Sequence, residues 1–287
     1  MQYSVSVIGL GKMGRPIART LITAGWRVQG FNRSSLSKDL THGIPLCKQI
    51  EDAAHVEVCL LMLADSIAVD EVLGYLETHL SSGQIVLDMG SSEPERSRVH
   101  ARRLEMKGIG WVDAPVSGGP GGAASGTLAV MAGGNADVFD RVEPILNALG
   151  GNVVHVGGPG AGHTAKIINQ VIVGLTIEAV AEGLTLAERI GIDLHLVQKA
   201  LRGGWADSKI LQHHGTRMIN RNYEPGGYVS TQLKDLRMAQ AIARAQNVTL
   251  PHLESTINMF ETLVAEGNEK LDHSAIHKLF SKPEETK

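Results

Sequence analysis

The stretch Tyr3-Ser4-Val5-Ser6-Val7-Ile8-Gly9-Leu10-Gly11-Lys12-Met13-Gly14 decides the fold. A short run rich in β-branched residues reads as a strand, and the glycines lead into apolar residues at helical spacing, Ile17, Ala18, Leu21 and Ile22. Gly25 closes that helix and Arg27-Val28-Gln29-Gly30-Phe31 supplies a second strand, so the first 31 residues make one βαβ unit. Each glycine then has its own duty. Gly9 permits the tight turn, Gly11 lets the backbone approach a pyrophosphate, and Gly14 lets helix and strand pack closely, with Leu10, Lys12 and Met13 completing the turn. Glycines also gather at ordinary turns; the strand before and the helix after are what make this a dinucleotide site.

The end of the second strand selects the dinucleotide. Where an Asp or Glu would accept from a ribose 2′-hydroxyl, the chain has Asn32-Arg33-Ser34. A guanidinium and a hydroxyl suit a 2′-phosphate, so NADP(H) is preferred, with NAD(H) as the alternative and Arg33 as a plain surface charge the competing reading.

Working outward, strands are read at 56–63 and 85–89, whose runs 58–63 and 85–87 are continuously apolar rather than alternating, as parallel strands covered on both faces require. Segments 111–114, 128–131 and 153–156 continue as strands at the edge of the same sheet. From His163 onward apolar residues recur at helical spacing. A first helix over 164–189, roughly 40 Å long, would run through both domains, and its scarcity of polar residues predicts burial in the domain or in a dimer interface. The reading is an α/β Rossmann domain over residues 1–162, binding NADP, followed by an all-α substrate and dimerisation domain over 163–287.

Composition excludes several classes. The 287 residues are 43% hydrophobic and 20% charged, as in a soluble globular protein, and no apolar stretch reaches the roughly 20 residues of a membrane span. A net charge of -3 lacks the basic surplus of a nucleic-acid binder. Cys47 and Cys59 form no CxxC pair and the twelve histidines show no HxH or HExxH spacing, so neither a disulfide nor a metal is expected. With no charged leader or cleavage site, the expected location is the cytoplasm. The polar tail 281–287 is expected to fray.

Four stretches carry chemistry. In Gly160-Ala161-Gly162-His163-Thr164-Ala165-Lys166-Ile167-Ile168-Asn169-Gln170, a turn at Gly162 into a helix puts His163, Lys166, Asn169 and Gln170 on one face. The stretch 113–127, with Ser117, Gly118 and Gly119, reads either as backbone N–H groups and a hydroxyl clasping a carboxylate or as a flexible loop. Ser91 follows a strand's C-terminal end, where cofactor or substrate binds in open sheets, while Ser92 with Glu95 reads as a helix cap. Leu63 and Ala64, after the third strand, join the cofactor set. Lys234-Asp235 reads as a solvated helix pair or a site element. Trp205 and Ser208 read as a pocket mouth or as a helix connection.

These motifs, in order and spacing along essentially the whole chain, resemble the β-hydroxyacid dehydrogenases, a family including 3-hydroxyisobutyrate dehydrogenase, tartronate semialdehyde reductase and, more distantly, 6-phosphogluconate dehydrogenase. The resemblance implies a C-terminal domain like that of 6-phosphogluconate dehydrogenase, with substrate in the cleft between the domains. It implies Lys166 as catalytic acid/base, Ser117, Gly118 and Gly119 on the substrate carboxylate, Asn169 and Gln170 orienting substrate, and Lys234 and Asp235 near cofactor and active site. Gln170, where many members have a second Asn, resembles the tartronate semialdehyde reductase branch and favours small hydroxy-aldehyde acids. Ala64-Asp65 and Gly227 depart from the family pattern. The expected protein is an NADP(H)-dependent oxidoreductase for a small carboxylate-bearing substrate, a homodimer or homotetramer without nucleic-acid or membrane partners. The alternatives are an imine reductase, against which Lys166 argues, and a non-catalytic NADP(H)-binding redox sensor.

Overall fold

The computed structural model describes residues 4–280; Tyr3 and the tail 281–287 lie outside the described residues. The chain forms two compact units that divide between Lys166 and Ile167.

The first unit runs β1 (Ser4–Ile8), α1 (Gly14–Thr23), β2 (Arg27–Phe31), α2 (Lys38–Thr41), a 3-10 turn (Glu51–Ala54), β3 (Val58–Leu61), α3 (Ser66–Leu76), β4 (Ile85–Asp88), α4 (Pro94–Glu105), β5 (Gly110–Asp113), β6 (Val116–Ser117), α5 (Gly119–Ser125), β7 (Leu128–Gly134), α6 (Ala136–Leu149) and β8 (Gly150–Gly157). They make one sheet in the order β2-β1-β3-β4-β5-β7-β6, with β8 on β7. Strands β2, β1, β3, β4 and β5 are parallel, as the apolar runs predict. Alternate residues of β3 enter opposite cores. Val58 and Leu60 cluster with Ile17, Leu21 and Ile145, while Cys59 and Leu61 cluster with Leu73, Leu76 and Leu104. Burying each such leucine stabilises the fold by about 1.5–3 kcal/mol.

The edge departs from an all-parallel sheet. β7 is antiparallel to both β5 and β6, and only the seven-residue α5 lies between β6 and β7, too short a connection for a parallel crossover. Between β7 and β8 the 14-residue α6 intervenes, and that pair is parallel. The small-residue stretch is thus a strand and a helix rather than a flexible loop. Ser92 is not a helix cap either: its hydroxyl donates to Asp88 Oδ2 at 3.0 Å, because α4 starts one residue later, with Glu93 at the cap and Pro94 in the first turn.

The second unit is helical. α7 (Ala161–Ile190) enters it from the first, followed by α8 (Leu194–Leu201), α9 (Lys209–Ile219), α10 (Val229–Ala245), α11 (Pro251–Ala265) and a 3-10 turn (His273–Leu279). Among the described residues its one β pairing is the isolated bridge Tyr228–Asp272. Ile177, Leu184, Met218, Leu236, Ile257, Phe260 and Leu263 form its core.

α7 differs from its sequence reading in three ways. It starts at Ala161, with Gly162 inside the first turn, where a Cβ would come 2.5 Å from the Met131 carbonyl oxygen. It is buried on one side only, leaving Ile168, Ile172, Leu186 and Ile190 exposed. It is also long and apolar enough, by length and composition, to cross a membrane; its buried positions Ile167, Ile177, Ala181 and Leu184 belong instead to the helical core.

Candidate active site

The glycine turn is built as its spacing predicts. Gly9 adopts φ +99°, a conformation costly for any residue with a Cβ, and donates its N–H to Phe31 O at 2.9 Å. A Cβ on Gly14 would overlap the Gly9 carbonyl, whereas one on Gly11 would meet nothing within 4 Å. Gly11 and Lys12 are exposed. α1 has neither a side-chain cap nor an acidic residue in its first turn, so its N-terminal dipole is uncompensated and suits a phosphate. Asn32 braces the turn from β2: its Oδ1 accepts from Leu10 N at 2.9 Å and its Nδ2 donates to Ser34 O at 2.7 Å. Arg33 beside it is exposed and pairs with Glu71 at 3.3 Å. These residues fit a bound dinucleotide. Leu63 is half-buried and Ala64 exposed just beyond β3, where Asp65 caps α3 by accepting from Ala68 N at 2.9 Å. Ser91, beyond β4, is half-buried.

The start of α7 is fastened to the sheet by a carboxylate. Asp113, wholly buried at the end of β5, accepts from Gly160 N at 2.8 Å and His163 N at 2.9 Å. Burial pushes the Asp113 carboxyl above its ordinary range, opposed by His163 and by the two backbone N–H groups. His163 does not join the expected polar face. It is fully buried, with Nδ1 2.6 Å from Ser97 Oγ and Nε2 3.6 Å from Asp88 Oδ2, so it holds the helix in place. Lys166 follows at i+3 and is only 8% exposed.

One turn on, Asn169 Nδ2 donates to Gln170 Oε1 at 2.9 Å, and Gln170 Nε2 donates to Asp235 Oδ2 at 2.8 Å and Gln232 Oε1 at 3.1 Å. Gln232 Nε2 returns to the Gln170 carbonyl at 2.9 Å. Asp235 is 1% exposed and Lys234 Nζ lies 3.3 Å from its Oδ1, so this is no solvated pair. The structure thus brings together Asn169, Gln170, Lys234 and Asp235, with Gln232 as a member the sequence reading missed. Its signal was there: Gln232 and Asp235 stand at i and i+3 in an otherwise apolar helix face.

Ser117 is half-buried at the end of β6, and Gly118, with φ +134°, turns the chain into α5, whose first residue is Gly119. Trp205 is fully exposed and Ser208 caps α9, accepting from Leu211 N at 2.9 Å, so this segment is a helix connection with Trp205 on its surface.

A sheet with a glycine turn opening α1, followed by a helical unit, defines a class of dinucleotide-dependent oxidoreductase fold. Comparison with known proteins narrows it. Residues 4–157 match the family model described as the NAD binding domain of 6-phosphogluconate dehydrogenase, and residues 160–280 match the one described as NAD-binding of NADP-dependent 3-hydroxyisobutyrate dehydrogenase. The chain is 39% identical over 277 residues to 2-hydroxy-3-oxopropionate reductase of Escherichia coli K12, covering 94% of each. A crystal structure of 3-hydroxyisobutyrate dehydrogenase from Salmonella typhimurium superposes with a TM-score of 0.89 at 29% identity, over 97% of this chain and 100% of that one. A solved structure of Mycobacterium tuberculosis 3-hydroxyisobutyrate dehydrogenase with L-serine gives 0.86 at 27%, over 97% of this chain and 99% of that one. The chain belongs to the β-hydroxyacid dehydrogenase family, NAD(P)-dependent oxidoreductases acting on CH–OH groups.

Proposed function

We propose that the protein is an NADP(H)-dependent reductase that interconverts a small aldehyde or keto acid, of the 2-hydroxy-3-oxopropionate type, with its hydroxy acid, and that Lys166 is its general acid/base. The observation that carries this is the near-complete burial of Lys166 on a helix start fixed by Asp113, with Asn169 and Gln170 following at i+3 and i+4. The 39% identity to a 2-hydroxy-3-oxopropionate reductase supports the substrate class. The boundaries 1–162 and 163–287 separate the cofactor-binding part from the substrate and assembly part.

The nicotinamide, when bound, supplies or accepts the hydride. Gly9, Leu10, Gly11, Lys12, Met13 and Gly14 hold its pyrophosphate, with Asn32, Ser34, Leu63, Ala64, Ser91, Lys234 and Asp235 around it. Arg33 meets the 2′-phosphate; its present partner, Glu71, is an exposed ion pair of little strength, easily exchanged. Ser117 Oγ and the backbone of Gly118 and Gly119 bind the substrate carboxylate. Lys166 Nζ gives its proton to the alkoxide oxygen as the carbonyl is reduced and takes it back in the oxidation. Asn169 and Gln170 orient the substrate hydroxyl, and Gln170 is held for that task by Asp235 and Gln232. Trp205, fully exposed, is assigned to the substrate set on the family resemblance alone.

The exposed apolar stripe Ile168, Ile172, Leu186 and Ile190 supports a homo-oligomer with α7 in the interface. The two free cysteines, Cys47 and Cys59, accord with a reducing cytoplasm. The test is a spectrophotometric screen of NADPH and NADH oxidation with tartronate semialdehyde, glyoxylate, succinic semialdehyde and methylmalonate semialdehyde. Turnover of tartronate semialdehyde, faster with NADPH, is expected; turnover confined to an imine, or none with any of these, would overturn the reading.

A further inference from the structure

The helical unit gathers histidines that the sequence keeps far apart. His214 on α9, Asp272, and His273 at the start of the last 3-10 turn each offer a ligand atom, all within 4.8 Å of one another. His214 Nε2 and His273 Nε2 are 3.2 Å apart, with the rings edge to face at 81°. The far nitrogen of each ring has an acceptor near it: His214 Nδ1 is 3.3 Å from Asp272 Oδ1, and His273 Nδ1 is 3.4 Å from Gln232 Oε1. An acceptor at Nδ1 selects the tautomer with its proton there and turns a lone pair outward on Nε2. The two Nε2 atoms face each other at hydrogen-bond distance, and either a shared proton or a metal ion between them holds them there.

A shared proton and a metal ion differ in the separation they favour. An N–H hydrogen bond prefers about 2.9–3.0 Å between heavy atoms. Two imidazole nitrogens at about 2.05 Å from a tetrahedral Zn²⁺ stand about 3.3 Å apart, close to the distance seen. Asp272 completes the pattern as the orienting carboxylate. It is fully buried, and both its oxygens are engaged: Oδ2 accepts from Gly226 N at 2.8 Å and Gly227 N at 3.1 Å, Oδ1 from Ser274 N at 3.1 Å and Ser274 Oγ at 2.6 Å. Four donated hydrogen bonds on its two oxygens suit an ionised carboxylate. A fixed anion behind a ligating imidazole is the usual second layer of a metal site.

We propose that His214 and His273 bind a divalent transition-metal ion of the Zn²⁺ class through their Nε2 atoms, with Asp272 and Gln232 orienting the rings and water completing the coordination. Imidazole ligands with no thiolate suit Zn²⁺, Ni²⁺ and Cu²⁺ over Mg²⁺ or Ca²⁺. The ion would tie α9 to the 3-10 turn. Gln232 Oε1 also accepts from Gln170 Nε2, so the side chains of His273 and Gln232 would link the ion to Gln170.

The test uses tag-free, full-length protein stripped with EDTA, titrated with ZnCl₂ by calorimetry and melted with and without Zn²⁺, beside His214→Gln, His273→Gln and the double variant. Wild type is expected to bind one equivalent and to melt higher with Zn²⁺. Each single variant should bind at least tenfold more weakly and lose the Zn²⁺-dependent rise, while melting like wild type in EDTA. No binding by wild type, or a double variant that binds as tightly, would overturn the proposal. Should the variants fail to fold, Co²⁺ added to wild type decides: visible d–d bands of a nitrogen-ligated ion support the site, and their absence rejects it.

Discussion

Replacing Gln170 with leucine removes two donations from one nitrogen, to Asp235 Oδ2 at 2.8 Å and Gln232 Oε1 at 3.1 Å, and the acceptor of half-buried Asn169 Nδ2 at 2.9 Å, which water can replace at little cost. The first is charge-assisted and made to a carboxylate 1% exposed, so its loss costs about 1.5–3 kcal/mol; the second is neutral and costs about 0.5–1.5 kcal/mol. Leucine adds apolar area at a half-buried position and offsets about 1 kcal/mol, leaving a net loss of about 1–3.5 kcal/mol. At about 4 °C per kcal/mol for a unit of this size, the melting transition of the helical unit should fall by about 4–14 °C. Gln170→Glu should fall further at pH 7, because two carboxylates then share one buried place, and should recover on mild acidification as the pair takes up a proton. Circular dichroism melts at pH 7 and pH 5.5 read both, and kcat/KM of the same samples reports on substrate orientation. A leucine variant melting within about 1 °C of wild type would refute the view that Asp235 depends on Gln170.

Other expectations follow from the same geometry. Gly14→Ala forces a Cβ into the Gly9 carbonyl and should abolish measurable NADPH binding by fluorescence titration, while the far less confined Gly11→Ala folds normally. Arg33→Ala should weaken NADPH binding at least tenfold, about 1.4 kcal/mol, and leave NADH nearly unchanged; equal losses for both would dismiss the 2′-phosphate assignment. His100 and His277 are pushed below the ordinary imidazole range, by burial first, so their neutral forms belong to the folded state. Their contribution is present above the unfolded pKa near 6.5 and lost as pH falls through the folded values. Stability from urea unfolding should therefore decline on acidification below about pH 6.5, and less steeply in His277→Gln.

The parallel core was legible because β3 and the first three residues of β4 are continuously apolar, and the dinucleotide turn because three glycines fall between a strand and a helix. The antiparallel edge was not, since strand direction there depends on how short α5 is, and its glycines and alanines read equally as loop. His163 was misread for a related reason. Helical spacing places it with Lys166, but the side chain finds Ser97 and Asp88, partners more than 60 residues away that no local pattern announces. The His214–His273 pair was hidden likewise, by a contact whose chemistry exists only once α9 and the last turn pack, whereas Gln232 was legible as a polar residue on an apolar face of α10. Lys234-Asp235 shows the converse: in a charge pair that composition assigns to solvent, Asp235 becomes a buried anchor to which Gln170 donates.

The central claim is that Lys166 moves the proton and does not merely pack. Lys166→Ala, compared with wild type for NADPH affinity and for NADPH oxidation with tartronate semialdehyde, tests it most directly. The account predicts that kcat falls at least a hundredfold with the NADPH Kd within about threefold and the fold intact. Retention of more than about a tenth of wild-type kcat in a folded variant that binds NADPH would contradict it.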